Sequence, residues 1–300
     1  MNSSSASDSP QISRRQIREA TVQLLHATGG ITDETSDPWP LILAPAESKI
    51  IRVRARAILH LQQNRAHRLK LLNEKKREFY SLIENYLEDR SAARTFRSLL
   101  KTEEEILSFL DLLRRQLKSD KEPETIAENL ERIQENNLNS LAHQKTLSEA
   151  IGPETSSPAP LKPLAQALPP LLTTSELLRS LFSQNLPNTP ETQALRKAIA
   201  ERELLQIETA KLHELIAKHQ KEINQLISKH LENFTFERLA QVDRAVLQLA
   251  TTELKHCPDI PPAVSINEAI DIARRFGGTD SALFVNGVLD KLGGNPSSAE

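Results

Sequence analysis

The stretch that most constrains this chain lies near its end, at residues 265–292, SINEAIDIARRFGGTDSALFVNGVLDKL. It reads as two helices joined by a glycine turn. Ser265 with Glu268 three residues later has the form of a capping box, in which each side chain satisfies an orphan amide at a helix start. Ile266, Ala269, Ile270, Ala273 and Phe276 then recur at helical spacing and form one apolar face. Gly277-Gly278 predicts the end of that helix, because glycine enters the left-handed C-cap conformation without penalty. Thr279, Asp280 and Ser281 offer N-cap oxygens to a second helix, whose Leu283, Phe284, Val285, Val288, Leu289 and Leu292 are apolar.

Composition extends the helical reading to the whole chain. Only 8 of 300 residues are glycine and 4% are aromatic, while Leu, Ala, Glu, Lys and Arg abound, a balance that favours an all-α fold over sheet. The net charge of -2 gives no global attraction to nucleic acid, so a surface for it has to be local. Cys257 is the one cysteine, which excludes an intrachain disulfide and fits a reducing compartment. No apolar run reaches 18 residues and no leader pattern opens the chain, so the expectation is a cytoplasmic protein without a membrane span. The sequence holds no HExxH, GxGxxG or Walker A pattern, and His213 and His219 stand six apart, poor spacing for two ligands on one helix face. No enzyme, cofactor or metal centre is expected.

Along the chain, residues 1–10 are serine-rich and read as a disordered lead-in. A helix follows within 11–28, its apolar Ile17, Val22, Leu24 and Leu25 facing a core and its first turns crowded by Arg14, Arg15 and Arg18. Three cations at a helix start oppose the macrodipole, which helix stability alone does not favour. Prolines and glycines at 29–46 predict a loop, with Trp39 packed from it against a helix. Residues 48–90 are helical and carry eleven Lys/Arg against five Asp/Glu; residues 101–150 carry seven against eleven. Their opposite charges predict an antiparallel hairpin over about 48–150, with a basic face through Arg52, Arg54, Arg56, Arg65, Arg68 and Lys70 as an alternative nucleic-acid surface. Eight prolines in 151–190 predict a semi-rigid linker holding one short helical candidate at 174–183. A long amphipathic helix over 191–233, a break at 234–239 and a further helix over 240–256 lead back to the closing pair.

The strings Ile266-Asn267-Glu268-Ala269, Phe276-Gly277, Asp280-Ser281 and Phe284-Val285-Asn286-Gly287-Val288-Leu289-Asp290-Lys291 resemble the closing signature of the NusB family of transcription antitermination factors. Val242-Asp243-Arg244-Ala245-Val246-Leu247, Glu253-Leu254 and Asp259-Ile260-Pro261 resemble it too, as does the arginine-rich first helix. The resemblance covers about 13–27 and 205–292. It implies a NusB-like helical bundle made of 11–28 and 191–293, interrupted by an insertion at 29–190 and followed by a tail at 294–300. It also implies a non-enzymatic adapter that binds boxA-like single-stranded RNA together with NusE, a small-subunit ribosomal protein, and reaches other Nus factors and RNA polymerase indirectly. Carried over by motif, the RNA-binding residues are Arg14, Arg15, Arg18, Asp280, Ser281 and Phe284, and the partner-binding residues are His26, Glu237, Asp243 and Arg244. Leu283 stands where the family commonly has Lys, and His26 where it commonly has Tyr. Two other readings remain: a helical scaffold that kept the fold without RNA binding, and a NusB-like rRNA methyltransferase, which would need a catalytic domain beyond residue 292. Whether the bundle forms a homodimer is left open.

Overall fold

The computed structural model describes residues 10–29, 37–87, 91–232 and 234–293. All but the last residue of the expected lead-in, the tail at 294–300, and most of the N-terminal half of the expected loop lie outside the described residues. Among the described residues there are eleven α-helices, two 3-10 turns and no strand, so the fold is all-α. The helices are α1 Arg14–Gly29, α2 Trp39–Leu61, α3 Arg65–Glu74, α4 Lys76–Tyr86, α5 Ser91–Lys118, α6 Pro123–Ile151, α7 Lys162–Ser180, α8 Pro190–Lys229, α9 Gln241–His256, α10 Pro262–Phe276 and α11 Ser281–Gly293. The chain divides into two compact units, one of Met1–Glu47 with Ala200–Glu300 and one of Ser48–Ile199.

In the first unit α9 is the central element. All of residues 245–253 are buried, as a helix enclosed on every side requires. Helices α1, α10 and α11 pack against it. Ile216, Ile223 and Ile227 of α8, Val22 of α1, and Val285, Val288 and Leu289 of α11 complete one core with it. Ala20 and Leu24 of α1 form a second, smaller cluster with Ile42, Trp39 and Leu205. The loop expected through residue 46 therefore ends earlier, because Pro40 falls in the first turn of α2, where a missing N–H is harmless.

The closing helix pair forms, but by other means than the sequence suggested. Helix α10 starts at Pro262, whose fixed φ suits a first helical position. The capping box is not made: Ser265 lies inside the helix with its N–H already donating to Pro261 O at 3.3 Å, and its buried Oγ has no hydrogen-bond partner. Gly277 is extended, with φ -92° and ψ -174°, rather than left-handed. What demands glycine there is space, since a Cβ would lie 2.5 Å from Ser281 Cβ and Oγ and 2.6 Å from Ala273 O. Gly287 faces nothing within 4 Å. In thermal or urea denaturation Gly277→Ala should therefore lose about 1–3 kcal/mol, whereas Gly287→Ala should gain up to about 1 kcal/mol from helix propensity.

The second unit corrects two further expectations. The antiparallel hairpin is α5 against α6, both within 91–151, while the basic segment breaks into the end of α2 and the separate helices α3 and α4. Charge complementarity between the segments survives as two cross-links, Arg52 Nη1 to Asp120 at 2.7 Å and a buried pair between Arg65 and Glu103. The expected proline linker is also corrected, because its centre is helix α7 with Pro169 and Pro170 inside it. Leu164, Leu168, Leu171 and Leu178 of α7 are buried. At about 1.5–3 kcal/mol for each such side chain, their burial offsets the roughly 3 kcal/mol that each interior proline costs. Thr173 and Thr174 hydroxyls donate to Pro169 O and Pro170 O at 3.0 and 2.8 Å, back-bonds of the kind that bend a helix.

This packing also reduces the alternative basic surface. Arg65 is fully buried, Arg68 donates to Pro170 O at 2.5 Å, and Arg52 is held by Asp120 and by Lys121 O at 3.0 Å. Three of its six cations are tied into the unit that carries them.

Candidate nucleic-acid interface

Helix α1 presents its arginines unequally. Arg14 is exposed and pairs with Asp259 at 3.0 Å; Arg15 is exposed, bonds Glu19 at 3.2 Å and lies 3.6 Å from Asp271 of α10. Arg18, one turn on, points into the core. Its Nε and Nη2 donate to Glu253 Oε1 and Oε2 at 2.8 and 3.1 Å, and Glu268 stands 4.0 Å away. The expectation that Arg18 meets phosphate is therefore corrected: at 4% exposure it is a bidentate partner for a buried carboxylate.

Two cations outside the family motif join Arg15 instead. Arg275 donates to Glu19 Oε1 at 2.7 Å, and Arg274 donates to Asp271 Oδ1 at 2.6 Å. Glu19 and Asp271 thus bridge Arg15 to the last turn of α10. Hydrogen bonding to Glu19 raises the pKa of the Arg15 guanidinium. The Arg-Arg pair directly before Phe276-Gly277 was the available sequence signal. Exposed ion pairs of this kind hold a side chain in place but contribute only about 0–1 kcal/mol, so a phosphate can displace the carboxylates.

From Arg275 the chain turns through Gly277 and Gly278 into α11. Ser281 Oγ accepts from Gly278 N–H at 2.8 Å and fixes that turn, and Asp280 O accepts from Phe284 N–H at 3.0 Å. Ser281 is buried and its role here is to shape the turn. Phe284 is half-buried on the edge of the core and stands edge-on to exposed Phe234, ring centroids 6.0 Å apart. The arginines are organised by α1 and α10, whereas Phe284 is organised by α11 and the segment before α9.

The residues assigned to a protein partner surround a different place. Arg244 Nη2 donates to Gly29 O at 3.2 Å, satisfying the open end of α1 beyond exposed His26, and its guanidinium lies 6.0 Å from the Phe236 ring centroid. Glu237 is exposed on the 3-10 turn Phe236–Arg238. Asp243 is 9% exposed and its Oδ1 is buried with no hydrogen-bond partner. A cleft of about 350 Å³ opens among Leu25, Thr28, His213, Phe236 and Arg244. Burial lowers the pKa of His213, so it is neutral at neutral pH.

The profile described as NusB family matches residues 175–293. The Transcription antitermination protein NusB of Bacillus subtilis is 38% identical over 115 residues, 38% of this chain and 87% of that protein. The protein of the same name from Myxococcus xanthus is 40% identical over 121 residues, 40% of this chain and 79% of its own length. This chain belongs to the NusB family. The Geobacillus kaustophilus relative, also a Transcription antitermination protein NusB, is 48% identical over 77 residues, 26% of this chain, and the chain spans 59% of its length. NusB proteins are transcription antitermination factors, and this one is longer than its relatives. The profile leaves most of the Ser48–Ile199 unit unmatched.

Proposed function

We propose that this protein is a non-enzymatic antitermination adapter that binds boxA-like single-stranded RNA of rRNA transcripts together with NusE in the cytoplasm, and so reaches other Nus factors and RNA polymerase. The observation that carries the reading is the set of exposed cations Arg14, Arg15, Arg274 and Arg275 at the start of α1 and the end of α10. Single-stranded RNA needs fixed cations for its phosphates and an aromatic plane for an unstacked base. Phe284 with Phe234 offers the plane, and Asp280 at the helix start offers a polar edge. For the protein partner this reading assigns exposed His26 and Glu237, Arg244, which lines the cleft, and Asp243, whose buried Oδ1 has no hydrogen-bond partner. Residues 29–190 are, on this reading, an insertion into the NusB bundle.

Fluorescence anisotropy with a boxA-like RNA, with and without NusE and at two salt concentrations, tests the reading. Wild type should bind more tightly with NusE. Arg15→Glu should weaken binding and reduce the salt slope by about 0.7 for each phosphate no longer neutralised, and Phe284→Asp should lose at least the roughly 1–3 kcal/mol of one base stack. Wild type that does not bind, or a double variant that binds as well while remaining helical, would instead favour the scaffold reading. Leu283, 77% exposed where a cation is usual in the family, is the feature that reading rests on.

A further inference from the structure

Outside both surfaces, three metal-ligating side chains converge in the first unit. His219 and Glu222 lie one turn apart on α8, on one face of the helix, and His256 is the last residue of α9. His219 Nδ1 is 3.4 Å and His256 Nε2 is 3.6 Å from the same oxygen, Glu222 Oε2. All three ligand atoms lie within 4.8 Å of one another. The two imidazoles are stacked, ring centroids 3.8 Å apart and planes inclined by 27°.

These distances are longer than well-formed N–H···O bonds. They are close to the edge of a tetrahedron built on metal–ligand bonds of about 2.0–2.1 Å, which is about 3.3–3.4 Å. A second observation points the same way: His256 Nε2 is buried and has no hydrogen-bond partner. With unprotonated nitrogens, the three facing atoms are all acceptors, and only a cation satisfies them together. A neutral ring with its proton on the facing nitrogen would instead donate to Glu222 Oε2 across 3.4 or 3.6 Å, longer than a well-formed bond. The C-terminal end of α9 adds its own negative partial charge at His256, which again favours a cation.

We propose that His219, Glu222 and His256 form a binding site for a divalent transition-metal ion of the zinc type. Two imidazoles and one carboxylate suit zinc, with a fourth position left for water or another donor. The ion would clamp α8 to the end of α9, the central helix of this unit. Spacing along α8 alone, which sets His213 against His219, gives no sign of a ligand that arrives from another helix.

The test uses the full chain stripped of metal with a chelator. Zn²⁺ is titrated in competition with a chromophoric chelator, and Co²⁺ is titrated while visible absorption is followed. One equivalent should bind in each case, and His219→Gln and His256→Gln should each weaken binding by at least about 10–100-fold, the range lost even when only a supporting residue of a metal site is removed. Glu222→Gln, at an exposed position that leaves the core untouched, should do the same while circular dichroism stays that of wild type. His67→Gln, on an exposed histidine of the other unit, should bind as wild type does. Absence of saturable binding overturns the proposal, as does equal binding by wild type and Glu222→Gln.

Discussion

Replacing Arg65 or Glu103 by alanine should destabilise the Ser48–Ile199 unit by about 3–5 kcal/mol, the cost of leaving one buried charge without its partner. The two are 0% and 1% exposed, and the guanidinium grips the carboxylate twice, Nε to Oε2 and Nη2 to Oε1, each at 2.7 Å. Five neutral groups complete the shell. Gln62 accepts from Arg65 Nη1 at 2.7 Å, Ser175 accepts from Nη2 at 3.0 Å, Ser140 and Gln144 donate to Glu103, and Asn137 donates to Ser175 O at 2.8 Å. Helices α3, α5, α6 and α7 therefore meet at one polar centre, and a partial deletion leaves several of its members unsatisfied. Urea denaturation followed by tyrosine emission reads this unit, which holds Tyr80 and Tyr86, while Trp39 reports on the other. Arg65→Met combined with Glu103→Leu should recover part of the loss, because neither charge then remains buried. Recovery stays incomplete while Gln62, Asn137 and Ser140 keep facing the vacated centre. A single variant within about 1 kcal/mol of wild type would mean that water reaches the pair, contrary to the burial on which the estimate rests.

What could be read in advance divides along the range of the interactions. Helices α1, α8, α9, α10 and α11 were legible because each carries its own period of apolar residues. Helix α7 was not, since Pro169 and Pro170 are strong local signals and the leucines that overrule them act through helices distant in the sequence. The hairpin was misplaced for the same reason: net charge over a long segment does not say which helix pairs with which, and α3 and α4 intervene. Within the candidate site, Arg14 and Arg15 looked no different from Arg18. What separates them is Glu253, more than two hundred residues away, and the 3.6 residues per turn that aim Arg18 at it. Arg274 and Arg275 were visible as an adjacent pair, but only the bridges through Asp271 and Glu19 relate them to Arg15.

That separation leads to the second large effect. Arg18→Ala should destabilise the first unit by about 3–5 kcal/mol, since Glu253, 3% exposed in the centre of α9, would be left as an unpaired carboxylate. Arg18→Lys should rescue little, because an ammonium is a point charge that cannot match the two-bond geometry. Arg15→Ala, which breaks only exposed pairs, should stay within about 0.5 kcal/mol of wild type. Trp39 emission during urea denaturation measures all three. RNA binding then gives a second, independent reading of the same residues. Under conditions where each variant is folded, Arg15→Ala should lower the salt slope by about 0.7, and Arg18→Ala should leave it unchanged because its guanidinium faces Glu253 rather than solvent. An Arg18 variant that keeps its stability and loses salt slope would mean that this side chain leaves Glu253 for phosphate. The buried pair would then be a resting position of an RNA ligand and not a fixed part of the bundle. Loss of stability with the slope intact would make Arg18 the anchor that sets α1 on α9, and so fixes where Arg14 and Arg15 stand.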